Sequence, residues 1–441
     1  ASEEGWEGRK EQRREAAGSG EIRRLLLLGL GRREELESRR LQDWLDDLAS
    51  TFRRDRVARF ALLLPSHELT VGPEAVERVA RQLALTGYRF HEFKEEGEDG
   101  FRSEEAGLVV RDELESQSVR KGGDVARAVA TARGIADTPP NVATPSWIAD
   151  RAGELAEEHG MEIEVLETAE MERLGMGGLL AVGKGSGHEP RLVKLTWRGA
   201  GNGTRSVALV GKGVTFDTGG ISIKPSKNME EMKWDKCGAC AVLGTMEVVS
   251  RLKIPHRVTG YVPLAENMPD GNSYRPSDIV RCFNGKTVEI LNTDAEGRMI
   301  LADALAWASE DDPTELVELS TLTGACVVAL GRTGAGLYTP SDELSAELLD
   351  AAKGEGERLW RMPLWSEFRE EMEGEHADLQ NVGGRWGGAN TAAAFLSSFV
   401  GGVERWAHLD IAGPSYTTED PKGATGYGVA TLARWLRSLD L

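Results

Sequence analysis

The chain of 441 residues lacks several features that would place it in a familiar class. It has no run of about 18 apolar residues, so we expect no membrane-spanning helix, and we expect no secretory signal. Its four cysteines are too few to cross-link a chain of this length, which favours a reducing compartment and predicts a cytoplasmic protein. Basic residues are in the minority, and the net charge of −19 disfavours binding to nucleic acid or to an anionic membrane.

The common catalytic signatures are missing as well. The seven histidines are scattered, without the His-Glu-x-x-His pattern of zinc proteases, and no Gly-x-Ser-x-Gly turn marks a serine hydrolase. The glycine-rich residues 211–220 lack the Lys-Ser/Thr ending of a phosphate-binding loop. Cys237 and Cys240 form a lone Cys-x-x-Cys pair, which is more typical of a buried helix start than of a zinc or redox site. A metal site in this chain would therefore be built from carboxylates.

Segments of strand type and helix type alternate along most of the chain, which predicts an α/β fold with a mostly parallel sheet. Paired prolines at residues 139 and 140 interrupt the alternation and mark a domain boundary. Residues 1–20 are charged and without apolar periodicity, and no strand is expected before residue 24. The predicted division is a mobile segment at 1–20, a smaller N-terminal α/β domain at 21–138, a linker at 139–148 and a larger C-terminal α/β domain at 149–441.

The most informative segment is Asn-Thr-Asp-Ala-Glu-Gly-Arg at residues 292–298. A strand-type stretch precedes it and helical spacing follows it, so the carboxylates of Asp294 and Glu296 are predicted to lie at a strand-to-helix turn. Active-site groups often lie at such turns in α/β proteins, and hard divalent cations prefer oxygen ligands. For this segment alone, a solvated turn that favours the start of a helix is an equal alternative.

Three further charged residues stand in comparable positions. Lys212 and Asp217 follow a predicted strand among glycines, which let the backbone approach a ligand closely. For this stretch alone, a surface pair in a glycine-rich turn is favoured. Asp235 stands just before a predicted helix, where it is equally suited to be an N-cap. Together with Asp294 and Glu296, the carboxylates of Asp217 and Asp235 are suited to hold two cations about 3.5–4 Å apart.

These residues lie in segments that resemble the leucyl (cytosol) aminopeptidases, a family of two-metal exopeptidases. The order and spacing of the segments agree from about residue 24 to the C-terminus. The resemblance implies a larger catalytic domain whose mixed central sheet is flanked by helices. The matching segments are Val-Gly-Lys-Gly-Val-Thr-Phe-Asp-Thr-Gly-Gly at 210–220, Ser-Ile-Lys-Pro at 222–225, Met-Lys-Trp-Asp-Lys-Cys-Gly-Ala at 232–239, the segment at 292–298, Ser-Thr-Leu-Thr-Gly-Ala-Cys at 320–326 and His-Leu-Asp-Ile-Ala-Gly at 408–413.

The resemblance implies a set of five metal ligands. Asp217 and Glu296 would bridge both metal ions. Asp294 would complete the more exchangeable site, and Lys212 with Asp235 would complete the tighter one. A lysine binds a metal only as the neutral amine, so the cation and the buried setting are expected to lower the pKa of Lys212.

The resemblance also implies groups that act on the substrate. Lys224 would polarise the scissile carbonyl, and Arg298 would hold a bicarbonate ion that acts as general base. The family often has a larger apolar residue near Ser415, so the preferred first residue of the substrate stays open. The pocket for the first side chain would be lined by Met232, Thr321, Leu322, Gly324 and Ala412.

The implied activity is removal of N-terminal amino acids, leucine and others, from peptides with a free N-terminus by attack of a metal-activated water. The two divalent ions are expected to be Mn²⁺ or Zn²⁺, with Mg²⁺ or Co²⁺ as alternatives, and a homohexamer built as a dimer of trimers is implied. Two other functions stay open. One is a narrower dipeptidase, for instance on Cys-Gly. The other is a relative that binds DNA as a regulator, which the negative charge disfavours.

Overall fold

The computed structural model describes most of the chain from residue 112 onward and shorter stretches before it. Contacts divide the chain into two units, Ala1–Ala126 and Arg127–Leu441. The division lies within a long helix, Glu113–Asp137, that ends just before the predicted linker at 139–148. A division inside a helix does not locate a linker, so the predicted domain boundaries stay a prediction. The described residues are 13–17, 24–28, 45, 48, 51–52, 55–57, 59–63, 73–94, 105–110, 112–419 and 422–439.

The first unit contains a strand that the sequence did not predict. β1 (Arg13–Ala17) pairs antiparallel with β2 (Arg24–Leu28), although no strand was expected before residue 24. The sequence of β1, Arg-Arg-Glu-Ala-Ala, has no apolar alternation. Pairing with the leucine-rich β2, and not a pattern within β1, therefore decides its conformation. The rest of the segment predicted to be mobile, residues 1–12 and 18–20, lies outside the described residues.

Two further strands of this unit follow the α/β pattern. β3 (Arg59–Leu63) and β4 (Glu105–Val109) pair in parallel, and helix α1 (Pro73–Thr86) lies between them in the sequence. The sequence of residues 34–52 has helical character, and most of these residues lie outside the described ones. The long helix named above is α2. The buried core of this unit contains Leu45, Leu48, Val79 and Leu83.

The described strands of the second unit form a nine-stranded sheet, a three-stranded sheet and one further pair. They are β5 (Glu162–Leu166), β6 (Arg191–Trp197), β7 (Ser206–Gly211), β8 (Gly213–Asp217), β9 (Arg257–Asn267), β10 (Ile279–Arg281), β11 (Thr287–Glu289), β12 (Glu315–Ser320), β13 (Ala335–Tyr338), β14 (Leu359–Arg361), β15 (Leu379–Gln380), β16 (Trp406–Asp410), β17 (Tyr416–Thr417) and β18 (Gly423–Ala424).

Helices alternate with these strands. The first of them begins after the proline-rich break, where the Thr144 side chain accepts a hydrogen bond from the backbone N–H of Trp147 and caps the helix. No helix in the described ranges is both long enough and apolar enough to cross a membrane. The helices are α3 (Pro145–His159), α4 (Thr168–Leu174), α5 (Gly177–Gly183), α6 (Cys237–Arg251), α7 (Glu296–Glu310), α8 (Gly324–Leu330), α9 (Asp342–Glu355), α10 (Ser366–Glu370), α11 (Gly388–Leu396) and α12 (Val429–Ser438), with 3₁₀ helices at Met229–Trp234 and Ser397–Phe399.

The large sheet has the strand order β14-β13-β16-β12-β7-β9-β6-β5, and β8 continues beyond β7 to pair with β9. The central strands β16, β12, β7 and β9 run parallel to one another. Antiparallel pairs follow on both sides, β13 with β16 and β6 with β9. The sheet is therefore mixed and lies in the larger of two α/β parts, which confirms the predicted fold class.

Helices cover both faces of this sheet, which explains why the central strands β7, β12 and β16 are buried along nearly their whole length. On one face, Ala208 and Val210 of β7 lie in one buried cluster with Ile300 and Leu305 of α7. On the other face, a Cβ at Gly260 would lie 2.9 Å from a side-chain atom of Val242 in α6. The glycine thus allows α6 to pack closely on β9. The start of α6 and the start of α7 are held near the same strands.

The parallel strands end at one edge of the sheet. Gly211, the last residue of β7, is opposite Leu319 of β12, and Ser320 is opposite Asp410 at the end of β16. At the end of β8, Asp217 is opposite Asn267 of β9. In open α/β sheets, ligands bind outside the carboxyl ends of the strands. The residues that follow these strands are therefore the first place to look for a site.

Candidate metal centre

Lys212 occupies the break between β7 and β8. Its backbone N–H donates to the Leu319 carbonyl at 3.1 Å, and its carbonyl accepts from the Ala239 N–H at 2.8 Å. These two bonds fix the Lys212 backbone between strand β12 and helix α6. The close approach requires a glycine at position 238, because a Cβ there would lie 2.2 Å from the Leu319 carbonyl oxygen.

The segment 292–298 forms the predicted turn between a strand and a helix, and Glu296 is the first residue of α7. Within the turn, the Asn292 side-chain oxygen accepts from the Asp294 N–H at 2.9 Å. Two side chains from outside hold the Thr293 carbonyl. Asn267 Nδ2 donates to it at 3.0 Å, and the Tyr274 hydroxyl donates at 2.8 Å. The turn is therefore fixed to the end of β9.

The first lysine cluster joins three of the predicted ligands. Lys212 Nζ lies 2.8 Å from Asp235 Oδ2 and 2.8 Å from Glu296 Oε1, and it donates to the Thr321 carbonyl at 3.2 Å. Lys212, Asp235 and Glu296 are all buried. Gly297 leaves room for the lysine, because a Cβ at that position would lie 2.6 Å from Lys212 Nζ.

The second lysine cluster contains the other two predicted ligands. Lys224 Nζ lies 2.7 Å from Asp217 Oδ2 and 2.5 Å from Asp294 Oδ1. The other Asp217 oxygen accepts from the Gly219 N–H at 2.9 Å and from Asn267 Nδ2 at 2.8 Å. The structure thus brings all five predicted metal ligands and Lys224 together at the edge where the parallel strands end.

The charges in these clusters shift the pKa values of their members. Burial by itself lowers the pKa of Lys212, but the charges of Asp235 and Glu296 outweigh it and raise that pKa above its ordinary value. The pKa of Lys224 is likewise raised: burial lowers it, and Asp217 and Glu296 outweigh the burial. Burial and the Glu296 charge raise the pKa of Asp217 to about 6. The resemblance implies a lowered pKa for Lys212 when a cation is bound, and this stays a prediction. Without a metal ion, the carboxylates around it produce the opposite shift.

The residues present fit a divalent cation. Asp217, Asp294 and Glu296 each offer one carboxylate oxygen, and these three oxygens lie within 4.8 Å of one another. Glu296 Oε2 is buried and has no hydrogen-bond partner among the described residues. A buried acceptor without a partner costs about 1–3 kcal/mol, more when it is charged, and a cation would remove that cost. Oxygen donors suit Mn²⁺ and Mg²⁺, and a neutral Lys212 amine beside them also suits Zn²⁺.

Arg298 lies one turn into α7 and is almost fully buried. Its Nη1 donates to the Asn381 carbonyl at 2.6 Å, and its Nε has no hydrogen-bond partner among the residues that the structure describes. Burial lowers its pKa to about 10, so the guanidinium keeps its charge at neutral pH. A charged guanidinium with an uncommitted donor is suited to hold a small planar anion.

The residues predicted to line the substrate pocket lie on three segments beside these clusters. Thr321 Oγ1 donates to Asp235 Oδ1 at 2.7 Å, and Leu322 follows it. The Met232 carbonyl accepts from the Asp235 N–H at 3.3 Å. Gly324 begins α8, and Ala412 follows the end of β16. Their role in lining a pocket stays a prediction.

Asp410 links two of these segments, and the sequence analysis gave it no role. Its side chain accepts from Thr323 Oγ1 at 2.7 Å and from the Ala412 N–H at 3.2 Å. Three other buried side chains near the carboxylates were also missed, those of Asn267, Tyr274 and Asn381. Asn267 ends β9, whereas the sequence pattern predicts a strand only at 258–262, which stops five residues earlier. A predicted strand that continued to residue 267 would have placed Asn267 opposite Asp217.

A groove of about 610 Å³ lies elsewhere on the second unit. None of the predicted site residues belongs to its lining, which α4, α5 and the region around β10 supply. Its only described link to the carboxylates is Tyr274, which lines the groove and donates its hydroxyl hydrogen to the Thr293 carbonyl. The predicted site residues are therefore found at the edge of the sheet and not in this groove.

Family models match both parts of the chain. The model for the cytosol aminopeptidase family, N-terminal domain, matches residues 3–97, and the model for the catalytic domain of the same family matches residues 130–433. The second match contains every residue that the sequence analysis assigned to the site.

Similar proteins agree with these matches. A probable cytosol aminopeptidase of Azoarcus sp. (strain BH72) is 43% identical over 94% of this chain and 84% of its own length. Another, of Geobacter sp. (strain M21), is 44% identical over 94% of this chain and 85% of its own length. Among solved structures, the bottromycin maturation enzyme BotP in complex with Mn has a TM-score of 0.91 and 36% identity, and the match covers 99% of this chain and 95% of that one.

Proposed function

The chain belongs to the cytosol aminopeptidase family, and from this premise we propose that it is a metal-dependent aminopeptidase that uses two divalent ions. The observation that carries the proposal is the meeting of five potential ligands at one edge of the sheet. The carboxylate oxygens of Asp217, Asp294 and Glu296 lie within 4.8 Å of one another, beside the ion-paired Lys212 and Asp235. Because one similar structure is described as a complex with Mn, Mn²⁺ is the first ion to test.

The five ligands divide between two sites. Asp217 and Glu296 would contribute to both. Glu296 pairs with Lys212 and Asp217 pairs with Lys224, and an oxygen of each lies in the same group of three carboxylate oxygens. Asp294, whose side chain is one-third exposed, completes the more exchangeable site. Lys212 and Asp235 are buried and complete the tighter one. Lys212 must lose its proton when that site fills, so metal binding releases protons and strengthens as the pH rises.

Bound divalent ions would supply Lewis-acid polarisation of the scissile carbonyl and a nucleophilic water at neutral pH. The chain's own groups do the rest. The Lys224 ammonium donates hydrogen bonds to the carbonyl oxygen as negative charge develops on it. The Arg298 guanidinium would hold a bicarbonate ion, which would supply a general base there. Segments around Met232, Thr321 and Ala412 bind the first side chain of the peptide.

Removal of metal tests this proposal. We expect dialysis against a chelator to lower the hydrolysis of leucyl anilides at least about tenfold, because the chain's remaining groups cannot activate water at neutral pH. Addition of Mn²⁺ or Zn²⁺ should restore the rate. Full activity in a protein shown by elemental analysis to hold less than one ion per chain would contradict the two-ion proposal.

A substrate panel defines the specificity. Aminoacyl anilides with different first residues, together with dipeptides that include Cys-Gly, separate a broad aminopeptidase from a narrow dipeptidase. We propose the broad activity, on leucine and other residues, because the curated relatives are named as probable aminopeptidases. Hydrolysis confined to dipeptides would contradict this choice.

We also propose a homohexamer in the cytoplasm, and exposed apolar side chains favour an assembly of some kind. Trp365 stacks on Phe368 with ring centroids 5.5 Å apart, and a Cβ at Gly387 would lie 3.4 Å from the Phe368 ring. Trp386, 77% exposed, precedes Gly387, and Val328 on α8 is 90% exposed. Apolar patches of this kind mark protein interfaces.

Light scattering tests the assembly. A hexamer gives about six times the chain mass of 47.9 kDa, and a monomer mass would refute the proposal.

The four cysteines are free and buried, as suits a reducing compartment. Activity recovered in the secreted fraction of the source cells would contradict the cytoplasmic location.

A further inference from the structure

Asn381 holds the turn that carries two of the proposed metal ligands. This residue follows β15 and is fully buried. Its side-chain oxygen accepts from the N–H of Leu291 at 2.8 Å and from the N–H of Asn292 at 3.3 Å, and its Nδ2 donates to the Asn292 carbonyl at 2.7 Å. Its own N–H donates to the Glu289 carbonyl at 2.9 Å. One amide side chain therefore satisfies three backbone groups at the start of the turn.

The same residue contacts the other end of the segment. Its backbone carbonyl accepts from Arg298 Nη1 at 2.6 Å. The contact orients a buried guanidinium whose Nε is left without a partner among the described residues. Asn381 thus touches residue 292 at one end of the segment and residue 298 at the other. Both the ligand turn and the anion-holding arginine depend on its position.

The surroundings of Asn381 make its hydrogen bonds to the turn more important than an isolated side-chain bond. Asn292, which Asn381 holds, in turn accepts from the N–H of Asp294. The strand pairing that brings Asn381 here is short, because β11 and β15 pair through only two residue pairs, Val288 with Leu379 and Glu289 with Gln380. A ladder of that length fixes a backbone weakly. Bonds between Asp378 and Thr287 hold the start of this strand pair, and the side-chain bonds of Asn381 hold its end.

We propose that Asn381 is a positioning residue for the reaction, which holds Asp294 through the turn and Arg298 through its carbonyl. The inference rests on the proposed function and deepens it. Groups that hold metal ligands in position without binding the metal are important for function. Their removal usually lowers metal affinity or activity about 10- to 100-fold. A residue with a purely structural role would change the stability of the fold and leave both of those quantities alone.

The test compares two variants with a matched control. Asn381→Ala removes all three side-chain bonds, while Asn381→Asp keeps the two acceptor contacts and loses the Nδ2 donor. Asp303→Ala is the control, because Asp303 is also fully buried and its carboxylate accepts from the N–H groups of Leu179 and Phe283, both at 2.8 Å. For each protein we would measure Mn²⁺ affinity by calorimetry, kcat and KM at saturating Mn²⁺, and the unfolding midpoint without metal.

We expect Asn381→Ala to weaken Mn²⁺ binding at the weaker site by about 10- to 100-fold and to lower kcat with little change in KM. Asn381→Asp should shift both quantities in the same direction by less, and it keeps the test open should the alanine variant fail to fold. The control should lose stability and keep the wild-type Mn²⁺ affinity.

Two results would overturn the positioning role. One is wild-type Mn²⁺ affinity and kcat in the Asn381 variants alongside a lowered unfolding midpoint. The other is an equal loss of Mn²⁺ affinity in Asp303→Ala, which would show that any destabilisation of α7 has this effect. A wild-type protein that binds Mn²⁺ and hydrolyses no peptide would refute the proposed function instead, and the affinities would still decide the role of Asn381.

Discussion

Glu296→Gln is expected to lower kcat/KM for peptide hydrolysis by about 10²- to 10³-fold, the loss typical when one group that organises charge at a reacting centre is removed. The glutamine keeps the shape of the side chain and removes its charge. Mn²⁺ affinity should fall in the same variant, because Glu296 contributes to both proposed sites. Calorimetry with Mn²⁺, steady-state kinetics and thermal unfolding, all on the same preparation, measure the three quantities.

The physical reason is the position of Glu296 within the carboxylate group. One of its oxygens lies 2.8 Å from Lys212 Nζ, and the other is buried without a hydrogen-bond partner among the described residues. Burial raises the pKa of Glu296, but Lys212 and Lys224 outweigh the burial and lower it, so the carboxylate is charged at neutral pH. A neutral amide in its place offers a cation one weak donor oxygen. It also leaves Lys212 with Asp235 as its only carboxylate partner among those that the structure shows.

Glu247→Gln is the matched control. Glu247 is also a buried glutamate, and it lies on α6, which packs on the same sheet. Arg251 Nε lies 2.7 Å from its Oε1. Loss of its charge should cost stability and leave kcat/KM unchanged. Equal losses of activity in the two variants would mean that the effect of Glu296→Gln comes from general destabilisation, and the ligand assignment would then fail.

The sequence predicted the parts of the site that are written as short, continuous motifs. The turn at 292–298 brings Asp294 and Glu296 together within three residues, and a strand-to-helix transition around it was visible in the apolar pattern. Lys212 and Asp217 were visible because glycines surround them. In each case a few consecutive residues supply the chemical groups, and neighbouring residues of the same segment determine the backbone conformation.

The parts that the sequence did not predict depend on contacts between distant segments. Asn381 lies 89 residues beyond Asn292 in the chain, and only the pairing of β11 with β15 brings it to the turn. β1 has no apolar alternation and is a strand because β2 pairs with it. The pKa of Lys212 follows from the sum of burial and several charges, and a pattern of residue types gives no measure of that sum.

The two lysines of the site differ in their surroundings, which predicts different roles for them. Lys212 is buried and also donates to the Thr321 carbonyl, so it is enclosed by protein groups. The Lys224 side chain is 22% exposed, and its ammonium reaches only the carboxylates of Asp217 and Asp294 among the described residues. An exposed ammonium can turn toward a substrate, whereas an enclosed amine can only act as a ligand. Lys224 is therefore the lysine expected to act on the peptide.

Lys224→Met is expected to lower kcat by about 10²- to 10³-fold, because it removes a hydrogen-bond donor aimed at the charge that develops on the carbonyl oxygen. KM should change little, since the interaction forms in the transition state. Mn²⁺ affinity should stay the same or increase, because the ammonium competes with a cation for Asp217 and Asp294. This last result separates Lys224 from the ligands, since Glu296→Gln is expected to weaken Mn²⁺ binding.

Lys194→Met is the matched control for that variant. Lys194 is also a partly buried lysine, its Nζ lies 2.8 Å from Asp311 Oδ2, and it belongs to β6, away from the carboxylate group. It should keep wild-type kcat and Mn²⁺ affinity. If Lys224→Met instead binds Mn²⁺ more weakly and recovers full kcat at saturating metal, Lys224 serves to hold the carboxylates in place. The stabilisation of the oxyanion must then come from the metal ions and other groups.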